Sequence, residues 1–158
     1  MVGNLKNISI NDSLEKLEDY CSLNDFQGWD PYDGLNSKVI KGLKLNNNKL
    51  IRLIWIQLFK RNPINLRKLF LVPKGLNPKG IGLFLSAYSK ELIALKKSGK
   101  DDSANLENKV NELANRLVGL RTEGYSGSCW GYNFDWQARG GLYFTKGTPT
   151  VVDTTYGA

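Results

Sequence analysis

The sequence predicts an all-helical protein of antiparallel helical hairpins, with one long loop near its carboxyl end. Two features of the 158-residue chain indicate this class. Apolar residues recur at three- and four-residue steps, which is the period of an amphipathic helix. In addition, most of the prolines directly follow a residue type that caps helices. We therefore expect a single helical domain over residues 1–158.

Four of the five prolines mark predicted helix starts. Asp, Asn and Thr accept a hydrogen bond from the free amides of a first helical turn, and proline has no amide to leave unpaired there. The four dipeptides are Asp30-Pro31, Asn62-Pro63, Asn77-Pro78 and Thr148-Pro149. The fifth proline, in Val72-Pro73, instead ends the short segment 64–71, because the residue before a proline disfavours the helical conformation.

A first helix is predicted over residues 11–22, with Asn11 or Asp12 as its cap. One face of this helix carries the side chains of Leu14, Leu17 and Cys21. After a turn at residues 24–33, the stretch LNSKVIKGL (35–43) predicts a short second helix.

A third helix is predicted in NNNKLIRLIWIQLFKRN (46–62). Large apolar residues lie almost all the way round it, so we expect a central helix that is packed on more than one side. A β-strand is the alternative for LIRLIWI (50–56), but the length of the segment and its Asn-rich start favour a helix.

The clearest pattern predicts a helical hairpin between residues 81 and 120. The first apolar stripe consists of Ile81, Leu85, Tyr88, Leu92 and Leu95, and the second of Leu106, Val110, Leu113, Leu117 and Leu120. The polar stretch KKSGKDDSAN (96–105) joins them and contains a helix stop followed by a helix start. Two such helices with a short connection form an antiparallel pair. Leucine stripes of this kind are typical of core packing, not of a cofactor pocket.

The sequence changes character beyond Gly124. Residues 125–147 contain five glycines and many aromatics without a helical or strand period, which predicts a long structured loop with a short β-pair around 141–144. A last helix is predicted in TPTVVDTTYGA (148–158), with Thr148 as its cap. Its inward side chains are expected to be Val151, Val152 and Thr155. Because this helix stops early, we expect the chain to be the amino-terminal piece of a longer protein.

The residue types present exclude several kinds of site. The chain has no histidine, and Cys21 and Cys129 lie far apart, which excludes Cys/His zinc patterns, the Ser-His-Asp triad and Cys-His nucleophiles. We predict no metal or other cofactor, and no phosphate-binding glycine motif occurs. We favour two buried thiols, and a disulfide between the cysteines is the alternative. No apolar run predicts a membrane span or a signal peptide, so we expect a cytoplasmic protein.

Positive charge is concentrated in the middle of the chain. The net charge is +7, and residues 34–90 contain twelve Lys or Arg and no Asp or Glu. Such a segment can attract nucleic acid, an acidic glycan, a phospholipid head group or another subunit. A compositional bias toward Lys and Asn is the alternative explanation.

The long loop carries the first candidate ligand site. Flat aromatic rings can cover the apolar face of a sugar, while carboxylate, amide and guanidinium groups bind its hydroxyls. The candidate binding residues are Trp130, Tyr132, Trp136, Gln137 and Arg139, with Asp135 among them. Arg139 can instead bind a carboxylate or phosphate through two parallel hydrogen bonds. The alternative is a packed loop in which Asp135 pairs with Arg139 or caps a turn.

A second cluster, residues 29–33, has the same mixture of residue types. Trp29 and Tyr32 are candidate binding residues, and Asp33 is a candidate carboxylate. If the two clusters meet, Asp33 and Asp135 are the candidate catalytic pair that glycoside hydrolysis requires. The alternative is structural, with Asp30 as a cap and Asp33-Gly34 as a turn.

Several of these stretches together resemble a known architecture. They are GWDPYDGLNS (28–37), NPKGIGLFLSAYSK (77–90), WGYNFDWQARGG (130–141) and TPTVVDTTYGA (148–158). In them the chain resembles the amino-terminal part of α/α-toroid proteins, the six-hairpin glycosidase-like and related barrels. The resemblance implies a partial barrel whose loops at one end bind sugars, and self-association that completes the barrel.

The leading functional prediction is a carbohydrate-related protein that binds or processes a glycan at loops 29–33 and 130–139. Enzyme activity is left open; an enzyme would be glycoside hydrolase-like or have a related carbohydrate-directed activity. One alternative is a non-enzymatic helical module that uses the basic 34–90 surface to hold an acidic partner. The other is a nucleic-acid-binding protein that uses the same surface.

Overall fold

The computed structural model describes residues 9–99 and 103–158, and 55% of the structure is helical. The helices are α1 (Ile10–Leu23), α2 (Lys38–Gly42), α3 (Lys49–Arg61), α4 (Pro78–Lys97), α5 (Ala104–Gly119) and α6 (Val151–Gly157). Short 3-10 helices lie at Asp33–Asn36 and Leu45–Asn47.

The predicted helical class is confirmed, whereas the toroid arrangement stays a prediction. Two predictions concern parts of the chain that lie outside the described residues. They are the cap at Asn11, whose side chain is not described, and the loop 96–105, of which residues 100–102 are not described.

Side-chain caps explain where three of the helices begin. The Ser37 hydroxyl accepts hydrogen bonds from two amides of α2, and Asn48 Oδ1 does the same for α3. Asn77 Oδ1 accepts from the Lys79 amide, and Pro78 occupies the first position of α4. The predicted starts of α3 and α4 are therefore confirmed, and LIRLIWI forms a helix and not a strand.

The other proline dipeptides do not start α-helices directly. Asp30 accepts from the Tyr32 amide in a turn that leads into a 3-10 helix. Asn62 accepts from the Ile64 amide, but no helix follows in 64–71. Each of these side chains accepts a hydrogen bond from the amide two residues later and so closes a tight turn. Such a local hydrogen bond competes with helix formation.

The last helix begins later than predicted. The Thr150 hydroxyl accepts a hydrogen bond from the Asp153 amide and donates one to the Asp153 carboxylate, so α6 starts at Val151. Thr148 instead lies in a turn in which its amide donates to the Thr145 carbonyl. The prediction of Thr148 as cap is therefore wrong. The prediction that Val151, Val152 and Thr155 face inward is also wrong, because all three side chains are exposed.

The predicted hairpin is confirmed and forms the larger of two cores. Helices α4 and α5 pack against each other through their apolar stripes. The buried members of this core are Ile81, Tyr88, Leu113, Leu117 and Trp130. Helix α6 packs on α4 at Gly82, where an added Cβ would lie 1.9 Å from the Tyr156 carbonyl oxygen. The hairpin therefore holds both the long loop and the last helix.

The smaller core lies in the amino-terminal half. Leu35, Ile40 and Ile56 are buried there, with Trp55 and Trp136 packed against them. The ring of Trp55 also donates a hydrogen bond from Nε1 to the Gly34 carbonyl. Because Trp136 comes from the long loop, this core depends on both ends of the chain.

Helix α3 is less buried than its sequence predicts. Ile56 and Phe59 are buried, but Leu50, Ile54 and Leu58 are 65%, 59% and 39% exposed. Their four-residue spacing places the three exposed side chains in one stripe. Helix α3 therefore packs against both 3-10 helices and against residues Trp136–Gln137, as a helix packed on more than one side does, but one of its faces stays uncovered.

Helix α1 is confirmed, although it begins at Ile10, so the predicted cap Asp12 lies inside its first turn. Ion pairs connect α1 and the turn that follows it to α5. Glu18 pairs with Lys109, and Asp25 pairs with Arg116 at 2.5 Å. Leu14 and Leu17 face a groove along α4 and not a closed core. Both cysteines are free, as predicted, but they are half-buried and not buried. Among the residues described, no helix is long and apolar enough to cross a membrane.

The long loop connects the two cores. Gly131 forms a bridge with Pro149, and a Cβ on Gly131 would lie 2.0 Å from the Thr148 carbonyl oxygen. Further along, β1 (Trp136–Gln137) pairs antiparallel with β2 (Tyr143–Phe144), which confirms the predicted β-pair. The loop thus passes from the hairpin core to the smaller core within a few residues.

Candidate functional site

The two predicted loop clusters meet at one cavity of about 460 Å³. We call it the aromatic pocket, and it is lined by Asp30, Pro31, Tyr32, Asn77, Lys79, Tyr132, Phe134 and Trp136. The turn before the first 3-10 helix supplies one wall, and the long loop supplies the opposite one. The first turn of α4 contributes the remaining polar groups.

Ring contacts hold the aromatic wall in place. Tyr132 stacks on the buried Phe134 with ring centroids 5.0 Å apart, and its edge meets Trp136 at 6.5 Å. Trp136 in turn stacks on Phe144 of β2 at 5.4 Å. Because each ring is supported by another, Tyr132 and Trp136 present fixed surfaces to the pocket.

Three polar residues line the pocket beside these rings. Asp30 accepts a hydrogen bond from the Tyr32 amide through Oδ1, and Asn77 accepts one from the Lys79 amide. The Lys79 ammonium lies 4.8 Å from the ring centroid of Tyr156, which comes from α6. A carboxylate, an amide and an ammonium are therefore available for polar groups of a ligand.

Two acidic groups near the pocket are harder to ionise than usual. Burial raises the pKa of the Asp30 carboxyl, although the Tyr32 amide, Arg67 and Lys79 oppose the shift. Burial also raises the pKa of Asp153, which is completely buried. The negative charge of Asp30 adds to that rise. Among the described residues, Asp153 Oδ1 has no hydrogen-bond partner.

These charges also act on the phenol of Tyr132. Burial raises its pKa, and the charges of Asp153 and Asp30 raise it further. Tyr132 therefore stays a neutral hydroxyl donor at physiological pH. Asp153 does not line the pocket, but its charge reaches both Tyr132 and Lys79, which do.

Replacement of Asp153 by asparagine is expected to flatten part of the pH dependence of stability. The folded pKa of Asp153 lies above its ordinary value of 3.8, so the folded state binds more protons in that window. Stability is therefore lost as pH rises through the folded pKa. We expect the free energy of unfolding of Asp153→Asn, measured relative to that of wild type, to be higher at pH 7 than near pH 4, because only wild type loses stability across this window.

Urea denaturation at the two pH values measures this difference. Other acids titrate in both proteins, so their contributions cancel in the comparison. A variant whose stability differs from wild type by the same amount at both pH values would show that Asp153 is not a buried, titrating group.

Neither carboxylate of the predicted catalytic pair lines the aromatic pocket. Asp33 is 3% exposed: its Oδ1 lies 2.8 Å from Arg67 Nε, and its Oδ2 accepts from the Asp30 amide. Burial raises its pKa against the opposing effect of Arg67. Asp135 accepts from the Lys146 amide and lies 3.3 Å from Lys41 Nζ. Both carboxylates thus hold the loops together, and the catalytic role of this pair gains no support from the geometry.

Three predicted binding residues are used inside the fold. Trp130 packs in the hairpin core and donates from Nε1 to the Leu117 carbonyl. Gln137 is buried; it accepts from Arg52 Nε and donates to two loop carbonyls. Trp29 donates from Nε1 to the Val72 carbonyl. Because Trp130 and Gln137 are buried, their predicted roles in ligand binding gain no support from the geometry.

The remaining candidates lie at the edge of the site or outside it. Trp29 lines a smaller cavity that shares Asp30 and Asn77 with the aromatic pocket. Arg139 is exposed and does not line the aromatic pocket. Asp135 pairs with Lys41, so the alternative Asp135–Arg139 pair is not the one formed.

Sequence reasoning missed several residues of this site. Asn77 and Asp30 were identified only as helix caps, and Lys79 only as one of many bases. The available signal was that Asp30 and Asn77 each directly precede a proline. Within the described ranges, no group of three or more Cys, Asp or Glu residues is arranged to hold a metal ion.

Comparison of this chain with protein-family models, with curated proteins and with solved structures finds no match.

Proposed function

We propose that this protein binds a saccharide in the aromatic pocket. The observation that supports this most strongly is the meeting of Tyr32, Tyr132 and Trp136 with polar side chains around one cavity. Its volume of about 460 Å³ lies within the range of small-molecule sites, which is roughly 300–1,000 Å³.

The chemistry of the pocket suits a sugar ring. An aromatic face covers the apolar side of the ring, and Tyr132 and Trp136 are held rigidly enough to do so without losing much side-chain freedom. Asp30, Asn77 and Lys79 supply acceptors and donors for hydroxyl groups. The mixture of flat apolar and charged polar surface favours a carbohydrate over a wholly apolar ligand.

Binding, and not hydrolysis, is the activity that we propose. Glycoside hydrolysis commonly uses two carboxyl groups that flank the bond to be cleaved. Among the described residues, Asp30 is the carboxylate that lines the pocket.

Removal of an aromatic side chain from the pocket is expected to weaken saccharide binding. We expect Tyr132→Ala and Trp136→Ala to lower the affinity about tenfold or more, because each loses a stacking face. Isothermal titration calorimetry with the best ligand from a panel of neutral and acidic oligosaccharides measures the effect.

The matched control is Tyr125→Ala, which removes an exposed tyrosine outside the pocket. Its affinity should equal that of wild type, and circular dichroism should show that all variants are folded. Equal affinity of the Tyr125 and Tyr132 variants, or no binding by wild type across the panel, would rule out the proposed function.

A further inference from the structure

Helix α3 leaves an aliphatic face uncovered. Leu50, Ile54 and Leu58 form one exposed stripe, while the opposite side of the helix packs in the smaller core. Arg61 is exposed and follows Leu58 by three residues, so it extends the same stripe. Apolar side chains aligned on a surface mark an interaction site more often than scattered ones do.

The segment of the chain that contains this face is rich in exposed positive charge. Eight of the twelve basic residues between 34 and 90 are exposed, namely Lys38, Lys41, Lys44, Lys49, Lys60, Arg61, Lys68 and Lys90. Lys49 begins α3, and Lys44 precedes the 3-10 helix that contacts α3. The same segment contains no acidic residue. Two bases of this segment, Lys41 and Arg67, are paired with Asp135 and Asp33.

We propose that the exposed face of α3 docks on an anionic lipid surface. Leu50, Ile54 and Leu58 would enter the boundary between head groups and acyl chains, as the apolar face of an interfacial helix does. Lys49 and Arg61 would contact the acidic head groups at the two ends of the helix. What selects this occupant is the match between an anionic membrane and an exposed aliphatic stripe in a segment that has exposed bases and no acidic residue.

Three other occupants fit the surface less well. Two copies of the chain that met through this face would bring like charges together. Single-stranded nucleic acid binds on aromatic stacking platforms, and the exposed stripe contains no aromatic ring. Protein interfaces are commonly anchored by Trp or Tyr, and the stripe has neither. Aliphatic side chains flanked by lysine and arginine suit a lipid boundary.

Co-sedimentation of the full chain with lipid vesicles tests this proposal. We expect binding to phosphatidylcholine vesicles that contain about 30% phosphatidylserine, much weaker binding to pure phosphatidylcholine, and release by added salt. The triple variant Leu50→Gln/Ile54→Gln/Leu58→Gln should lose about tenfold or more in partitioning. Lys49→Glu/Arg61→Glu should lose a similar factor, because each reversal acts on the attraction to acidic lipid.

Matched variants change the same residue types elsewhere. Ile93→Gln/Val118→Gln replaces exposed aliphatics of α4 and α5, and Lys97→Glu reverses an exposed charge at the end of α4. Both should bind vesicles as wild type does, and circular dichroism shows whether every variant is folded.

Several results would overturn the proposal. They are equal binding to neutral and anionic vesicles, unchanged binding of the folded α3 variants, and equal losses in the control variants. A dimer or a single-stranded RNA complex that depends on the α3 stripe, without vesicle binding, would assign the face to another occupant. Because α3 does not line the aromatic pocket, saccharide binding by the α3 variants should be unchanged. The two proposals can therefore fail separately.

Discussion

Replacement of Gly82 by alanine is expected to lower the free energy of unfolding by about 2–3 kcal/mol. The new Cβ would lie 1.9 Å from the carbonyl oxygen and 2.9 Å from the carbonyl carbon of Tyr156. Both atoms belong to the backbone of α6, so no side-chain rotation can relieve the overlap. Helix α6 would have to move away from α4, which would also disturb Trp130 beside Gly157. Urea denaturation followed by circular dichroism measures the loss.

Gly80→Ala is the matched control, because it lies two residues earlier on the same helix. A Cβ there would meet its nearest neighbour, Asn77 Cβ, at an ordinary distance of 3.9 Å. Alanine is the better helix former, so this variant should gain about 0.5–1 kcal/mol. If the two variants change stability in the same direction and by the same amount, the close approach of α4 and α6 is not what requires Gly82.

Replacement of Arg67 by alanine is expected to cost about 3–5 kcal/mol of unfolding free energy. Arg67 Nε lies 2.8 Å from Asp33 Oδ1, and its Nη2 donates to the Asp30 carbonyl at 2.8 Å. Both members of the ion pair are nearly buried. Removal of the arginine would leave Asp33 charged in an apolar environment and would release the turn that forms one wall of the aromatic pocket. Thermal and urea unfolding at pH 7 measure the effect.

Arg116→Ala provides the comparison for a solvated pair. Arg116 contacts Asp25 and Glu112, both of which are more than half exposed, so its loss should cost at most about 1 kcal/mol. The double variant Asp33→Ala/Arg67→Ala should be less destabilised than the two single variants added together, because neither charge is then left alone. Strict additivity would show that the pair has no specific coupling.

The same sequence signal had different outcomes at different places. Asn77-Pro78 and Thr148-Pro149 both predict helix starts, yet only the first begins a helix directly. At the second, the exchange of hydrogen bonds between Thr150 and Asp153 fixes the start two residues later. A capping motif shows that a start is near, whereas competing side chains decide its position.

The long loop shows why the candidate site was only partly predictable. Trp130 and Trp136 lie six residues apart in one aromatic motif, but Trp130 packs in the hairpin core while Trp136 lines the pocket. Asp33 and Asp30 likewise belong to one cluster, and only Asp30 lines the pocket. Residue type indicated the region correctly, but burial of each side chain depends on distant segments that no local pattern reveals.

By itself, the sequence determined the helices and the hairpin, because their caps and apolar spacing act between residues at most a few positions apart. The tertiary structure decided which polar groups are buried and which apolar groups are not. Arg67 pairs with Asp33, which lies 34 residues away in the sequence. Asp30, Asn77 and Tyr132 come together only because the long loop passes from one core to the other. The apolar stripe of α3 stays exposed for the same reason: its sequence favours burial, but no other described element packs over it.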